Sequence, residues 1–504
     1  MNYVTDDGQR KSFMDDKQRL KQITIVFVIY LVLAALLPAA DDEVYYWCWS
    51  KDLQWSYYDH PPMTALLIRL STAVFGDSIF AIRVPACVAS AFALYVISRL
   101  TDSRPLIWGV LLTPVFTFLA VLITPDSPLL MFWTGYLWWL VELHRRMEPS
   151  IDRLPEDAQG ADLRWWLIGG IILGGGVLSK YTMGLAVPVA FVSLLLTRQP
   201  WQHWLKGYIF HGVVAFAVAS PILIYNVQQN FEPLLFQWRH SAQKTPNALI
   251  SIVEFIGIQI LAFGTLPFYL FPWVISRFTR LSQNPKLRVC ACLYALPLAF
   301  FLYKSTQTRL EGNWALVCFV SFWPLAAEWY ESVRESKFWR RSTAAAFLPP
   351  LIAVILVFMH LIWPFWFVPI KPDRFHRAFA INSATREVAR LIRERNDSLP
   401  VYTDSYQMTA WLRFQKLPAQ QIDGLTRPSH FTRPPRRLTD VDRAYVVTNR
   451  PLPYEFADGF GSPVLVGSVP IEVRGTPDGV LNIRLYAKQE TDGRISIDSE
   501  KVDK

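Results

Sequence analysis

Residues 41–62 read DDEVYYWCWSKDLQWSYYDHPP. Carboxylates at Asp41, Asp42, Glu43 and Asp59 and the imidazole of His60 stand among Tyr45, Tyr46, Trp47, Trp49, Trp55, Tyr57 and Tyr58. Tyr and Trp favour a bilayer interface, where an apolar ring and a polar tip are both satisfied. The stretch reads as one or two short helices at a membrane surface, holding acids over a cavity. The competing reading is a solvated loop with an aromatic belt.

What lies on either side decides the fold class. Residues 22–39, directly upstream, are apolar. Further apolar segments, each roughly 17 to 25 residues and so long enough to cross a hydrocarbon core of about 30 Å, recur as far as residue 367. Beyond Lys371 they stop. The fold class is a polytopic α-helical membrane protein of about eleven spans with a C-terminal soluble α/β domain. Residues 1–21 are read as a cytoplasmic N-terminus and 22–370 as the transmembrane domain, with a first outer loop at 40–78. Residues 371–488 form an extracytoplasmic α/β domain, and the charged tail 489–504 is expected to be disordered. No small-residue cleavage pattern of the A-x-A type precedes Asp41, so the first apolar segment is read as a retained span rather than a signal peptide.

A net charge of +9 would admit a nucleic-acid partner, but its placement excludes that reading. Arg10, Lys11, Lys17, Arg19 and Lys21 precede the first span, and every second loop afterwards is basic again. This positive-inside pattern puts the N-terminus in the cytoplasm and the 41–62 stretch outside. The five cysteines form no disulfide framework, and Cys290-Ala-Cys292 is not a usable metal spacing inside a span. The run Gly174-Gly-Gly-Val-Leu-Ser-Lys180 mimics a phosphate loop. It lacks the Gly before the Lys and the Ser or Thr after it, so its glycines are read as helix-packing residues.

The remaining polar clusters fall on one membrane face: Asp41/Asp42/Glu43, Asp59/His60, Asp126, Lys180, His240 and Glu311/Asn313. Asp126 lies in the short turn Thr124-Pro-Asp-Ser-Pro128, where a helix N-cap is the plain alternative role. Arg83 is placed near the outer end of the second span, within snorkelling reach of lipid headgroups. A transporter or flippase would place ionisable groups near the bilayer midplane; here they are nearly absent, Glu254 being the clearest exception. Carboxylates and cations at an outer leaflet suit transfer of a sugar from a polyprenyl phosphate. The leaving phosphate needs positive charge, and the acceptor hydroxyl needs a carboxylate base. One such base on the face opposite the leaving group implies inversion, by analogy with the inverting glycosidases. A ligase moving whole glycans from a diphosphate carrier should want more outer cations than are evident.

At this point the motifs carry a resemblance. Asp42-Glu43-Val-Tyr45-Tyr46-Trp47, Tyr57-Tyr58-Asp59-His60-Pro61-Pro62, Thr124-Pro125-Asp126-Ser127-Pro128, Ser179-Lys180-Tyr181 and Glu311-Gly-Asn313-Trp314 resemble the motif series of bacterial GT-C glycosyltransferases. These are relatives of the protein O-mannosyltransferases and of the lipid A aminoarabinose transferase. The likeness covers roughly residues 22–330, and Thr403-Asp-Ser-Tyr-Gln407 also looks like bacterial members.

The resemblance implies that Asp42 is the base, with Glu43 beside it, and Asp126 the second acid. A one-residue shift between Asp41 and Asp42 stays open. Asp59-His60-Pro61 stands where the aminoarabinose transferase has Glu-Lys-Pro, whose Lys contacts the donor phosphate. Here His60, Lys180, Arg83 and Tyr181 are the candidates for that contact. Tyr58, Asp59, Glu311 and Asn313 would complete the site on the acceptor side. Some members use a divalent metal, for which Asp59 and His240 form the candidate pair. The implied partners are a polyprenyl-phosphate sugar, a lipid or glycan acceptor such as lipid A or its core, and membrane lipids. The implied location is a bacterial inner membrane with the site facing outward. A protein acceptor is the alternative within the same fold.

Overall fold

The computed structural model describes residues 15–101, 110–111, 113–117, 120–148, 162–242, 247–362 and 374–489, without the side chains of residues 240–241, 361–362 and 374–375. Two compact units divide them. One is drawn from Met1–Leu37 and Leu53–Trp363, the other from Pro38–Asp52 and Pro364–Lys504. Part of the expected span over 106–123, the middle of the loop 144–163 and nearly all of the tail 489–504 lie outside the described residues.

The first unit is helical. It contains α1 (Asp16–Leu36), α3 (Met63–Phe75), α4 (Ile79–Thr101), α5 (Asp126–Met147), α6 (Leu163–Val177), α7 (Ala186–Leu195), α8 (Leu205–Gln228) and α9 (Glu232–Ala242). There follow α10 (Ala248–Phe263), α11 (Leu266–Ser276), α12 (Phe278–Leu281), α13 (Pro285–Ser305), α14 (Leu316–Val333), α15 (Lys337–Ala345) and α16 (Leu348–Ile362). Among the described residues five helical stretches are long and apolar enough to cross a membrane, or six if one bent pair counts as a span. Large apolar side chains such as Val28, Val32, Val213 and Phe216 are exposed on α1 and α8, as a lipid-facing surface requires.

The glycine run of α6 is pressed against its neighbours. A Cβ at Gly170 would meet the His211 carbonyl oxygen at 2.7 Å, and one at Gly174 would meet the Ala215 carbonyl oxygen at 2.8 Å. Without side chains there, α6 and α8 approach backbone to backbone. The bent pair is α10 and α11, which meet at 100°. The sequence places a kink at Pro267 or Pro272; the chain instead turns at Gly264, in a positive-φ conformation (84°) that favours glycine. A side chain there would strike the Ala346 carbonyl oxygen at 2.2 Å, the oxygen that accepts from Thr265 N–H.

The second unit holds α2 (Asp41–Lys51), α17 (Arg374–Glu394), α18 (Tyr406–Phe414) and a five-stranded sheet. Its strands are β1 (Val401–Thr403), β2 (Ala419–Gln421), β3 (Arg443–Thr448), β4 (Val464–Val473) and β5 (Thr476–Ala487), in the order β2-β1-β3-β5-β4. β1 runs parallel to both β2 and β3; β5 is antiparallel to β3 and β4. Arg474 and Gly475, both at positive φ, close the β4–β5 hairpin as a two-residue turn. The strands that residues 400–403, 444–447, 463–466 and 480–485 lead one to expect are all present, and β2 is an addition. Its polar Ala-Gln-Gln carries no apolar alternation that periodicity could find.

The rings of the opening stretch correct one expectation. Tyr45, Tyr46, Trp47 and Trp49 are buried in protein rather than spread as a belt. Tyr45 packs on Tyr406 and Phe431 with centroids 4.7 and 5.2 Å away, and Trp47 packs edge-on against Phe414 at 5.0 Å. Trp55 alone among the tryptophans of that stretch stays exposed. The rings serve as the core between α2 and α18, where area burial outweighs any interfacial preference.

Candidate active site

In the helical unit, three residues far apart in sequence meet around one carboxylate. Asp126 opens α5, and the turn before it is fixed by Ser127, whose hydroxyl accepts from Thr124 N–H (3.2 Å) and donates to Leu122 O (2.9 Å). The N-cap position is occupied by Pro125, and no side chain caps the helix. The N-cap role weighed for Asp126 is therefore not realised, and its oxygens face elsewhere. Lys180 Nζ donates to Oδ1 at 2.8 Å and Oδ2 at 3.0 Å, and Asn313 Nδ2 donates to Oδ2 at 2.6 Å. Lys180 and Asp126 are both about nine-tenths buried, at 8% exposure each.

Local structure explains how Lys180 gets there. α6 ends in a tight turn in which Ser179 Oγ donates to Gly175 O (2.9 Å) and the Lys180 N–H bonds Gly176 O. Met63 N–H donates to Leu178 O (3.0 Å), which ties the Asp59-His60-Pro61-Pro62 corner to the strand of chain leading into Lys180. Asp59 is buried, and its carbonyl accepts from Gln237 Nε2 on α9 (2.5 Å). Tyr58 is buried against Phe236, also on α9, with centroids 4.9 Å apart. His60 is half-buried on the same corner. Tyr181 lies beside the Asn226 side chain of α8. The Gly312 carbonyl accepts from Gln259 Nε2 (2.8 Å), which holds the turn that presents Asn313; Glu311 is exposed beside it.

Arg83 lies elsewhere than expected. It is fully buried, and its guanidinium donates to Leu37 O (2.8 Å) and Ala34 O (3.1 Å), the carbonyls at the end of α1. The snorkelling expectation fails because the last carbonyls of a helix have no intrahelical partner and take a buried cation well. Glu254, the apparent mid-span charge, pairs with Arg309 (3.0 Å) on a half-exposed surface. The His240 side chain lies outside the described residues, so the Asp59–His240 pair does too. Among the described residues no group of three or more His, Cys, Asp or Glu gathers as a metal site.

The remaining acids belong to the second unit. Asp42 Oδ1 accepts from the Tyr406 hydroxyl (3.1 Å), and Asp41 Oδ1 accepts from Trp411 Nε1 (2.7 Å). Glu43 is fully buried and accepts from the Ala40 N–H (2.9 Å), closing the first turn of α2. Burial, then the charge of Asp42, pushes the Tyr406 phenol up to about 12, so it stays a hydrogen-bond donor to that carboxylate. The Arg427 guanidinium lies over the Tyr406 ring, 4.1 Å from its centroid. Sequence reasoning noted Tyr406 only within the Thr403–Gln407 resemblance and missed Trp411 and Gln237. No local pattern marks a partner more than 170 residues away.

A many-helix unit, a sheet-bearing C-terminal unit and a buried Lys–Asp–Asn cluster at a helix start define a membrane protein with a polar site built on helix termini. Residues 59–225 match the family described as dolichyl-phosphate-mannose-protein mannosyltransferase. The chain is 25% identical over 336 residues to the lipid A galacturonosyltransferase RgtD of Rhizobium johnstonii, an alignment covering 62% of this chain and 67% of that one. It is 23% identical over 266 residues to an undecaprenyl phosphate-alpha-4-amino-4-deoxy-L-arabinose arabinosyl transferase of Pseudomonas fluorescens, covering 49% and 44%. Its fold is that of ArnT from Cupriavidus metallidurans, solved bound to undecaprenyl phosphate: TM-score 0.61 over 92% of this chain and 97% of that one, at 15% identity. The chain is thus a multi-pass membrane protein of ArnT-like fold.

Proposed function

We propose that this chain is an inverting glycosyltransferase that moves a sugar from a polyprenyl monophosphate to lipid A or a related lipid-linked glycan. The relatives named above are by name lipid A and undecaprenyl-phosphate sugar transferases. The observation that carries the reading is the buried Lys180–Asp126–Asn313 cluster. Its carboxylate fixes an ammonium between the start of α5 and the end of α6, and an anionic lipid phosphate needs such positive charge. Lys180, with Tyr181 next to it in sequence and His60 on the corner that Met63 N–H ties to Leu178 O, is assigned to the donor phosphate. Because a phosphate leaves readily as an anion, no general acid is required.

Asp42 is assigned as the base that takes the acceptor hydroxyl proton as the hydroxyl oxygen attacks the anomeric carbon, with the C–O bond to phosphate breaking on the opposite side. Tyr406 holds the carboxylate in place. Trp411 donates to Asp41 in the same way, and it is the motif resemblance that selects Asp42 for this role. About eleven spans, a cytoplasmic N-terminus and an outward-facing site complete the reading, on the strength of the alternating basic loops.

The test is a transfer assay. Purified protein is given radiolabelled polyprenyl-monophosphate sugars and a lipid A acceptor, with wild type beside Asp42→Asn. Label should move to the acceptor in wild type and not in the variant, while the variant keeps its thermal unfolding profile. Full activity in Asp42→Asn sinks the assignment. Chelator lanes test whether a divalent ion bound through Asp59 takes part. The family description favours a second reading with a protein hydroxyl acceptor; label in a Ser/Thr peptide instead of lipid A would select it.

A further inference from the structure

The C-terminal unit contains a cavity of its own, of about 180 Å³. It opens where the chain changes direction in the sheet. From β1 the chain passes through α18 to β2 on one side, while β3 lies on the other side of β1. A crevice outside the carboxyl ends of two parallel strands at such a reversal is the usual place for a ligand in an open α/β sheet. Here the residues just past those ends line it: Asp404 and Ser405 after β1, and Thr448 with Asn449 at the end of β3.

Charge and shape narrow the occupant. Arg377 and Asp478 on the wall neutralise each other through a 2.6 Å ion pair. Asp404 remains, and burial holds its carboxyl above the usual range. The lining therefore carries one acid with no ion pair on the wall, opposed only by the charge of Arg450 behind it, beside groups that both donate and accept, which makes it a weaker site for anions. Ile381 and Met408 supply apolar surface of the kind that packs a ring face. The volume is below the about 300–1,000 Å³ of drug-sized pockets, so a lipid tail or a nucleotide does not fit.

We infer that this crevice binds a single uncharged or amino-substituted sugar ring, a residue of the acceptor glycan, whose hydroxyls or amine bond Asp404 and Asn449. The acceptor part of this statement rests on the glycosyltransferase reading; the binding part does not.

Two measurements separate them. The full chain, in a detergent without a sugar headgroup, is examined by saturation-transfer NMR with glucose, glucosamine, galacturonic acid and inorganic phosphate. Glucose or glucosamine should bind, galacturonic acid and phosphate should bind more weakly, and Asp404→Asn should raise Kd about tenfold, the loss of one charge-assisted hydrogen bond. Asn449→Ala, at the opposite lip, should weaken binding in the same direction and guards against a folding defect in the first variant. No neutral or amino-sugar binding in wild type, or binding unchanged in both folded variants, overturns the site. In the transfer assay Asp404→Asn should raise KM for the acceptor with kcat unchanged. An unchanged KM with sugar binding lost overturns the acceptor role. Absence of transfer in wild type would count against the proposed activity and leave the NMR result standing.

Discussion

At the residue scale the Asp126 carboxylate is the decisive group. It holds a buried ammonium and a carboxamide through three hydrogen bonds of 2.6 to 3.0 Å. Removing one partner of a buried pair leaves the other charge uncompensated, which costs about 3–5 kcal/mol. Lys180→Met should therefore lower the unfolding temperature and abolish transfer. The double variant Lys180→Met/Asp126→Leu removes both charges and should recover most of the stability but none of the activity. Thermal melts alongside the transfer assay read both. Recovery of activity in the double variant would make the cluster a structural staple only. The motif residues Asp126, Lys180 and Asn313 were legible in the sequence as separate motifs. Their meeting was not, because spacings of 54 and 187 residues carry no local signal.

A second prediction at this scale concerns His430. It is buried beside Trp49, and burial pushes its imidazole down to about 4 from an ordinary 6.5, with Arg413 lowering it further and Asp52 opposing. The folded state keeps the ring neutral while the unfolded chain takes up a proton. Stability is therefore full above about pH 6.5 and is lost as pH falls toward about 4. Thermal unfolding of the intact protein across that window should show the C-terminal unit weakening, and His430→Gln should flatten the slope.

At the element scale, two helix contacts depend on missing side chains. Gly174 sits against the backbone of α8, and no side-chain movement can relieve a clash with a carbonyl oxygen 2.8 Å from the new Cβ. Gly174→Val should push α6 from α8 and cost about 1–3 kcal/mol by overpacking. It should also reduce transfer, since α6 delivers Lys180; a melt and an assay at saturating donor check this. The glycine run was readable as a packing signal, but which helix it served was not. The break between α10 and α11 was expected at a proline and falls at Gly264, because its close approach to Ala346 is a tertiary fact.

At the scale of the whole molecule, α2 groups with the C-terminal unit although more than 300 residues separate them. The candidate base is thus carried by the unit whose Tyr406 and Trp411 hold Asp42 and Asp41. The amino-acid sequence by itself determined the membrane class, since apolar length and basic-loop alternation are local quantities that the bilayer reads directly. It also determined the strands of the C-terminal unit other than β2, whose periodicities are local, and the chemical types of the site residues. The tertiary structure decided what the aromatic stretch packs against, that Arg83 closes a helix end, and that Lys180, Asp126 and Asn313 share one carboxylate. Those outcomes depend on which distant groups compete for the same buried donor or surface, and a chain read in order holds no record of that competition.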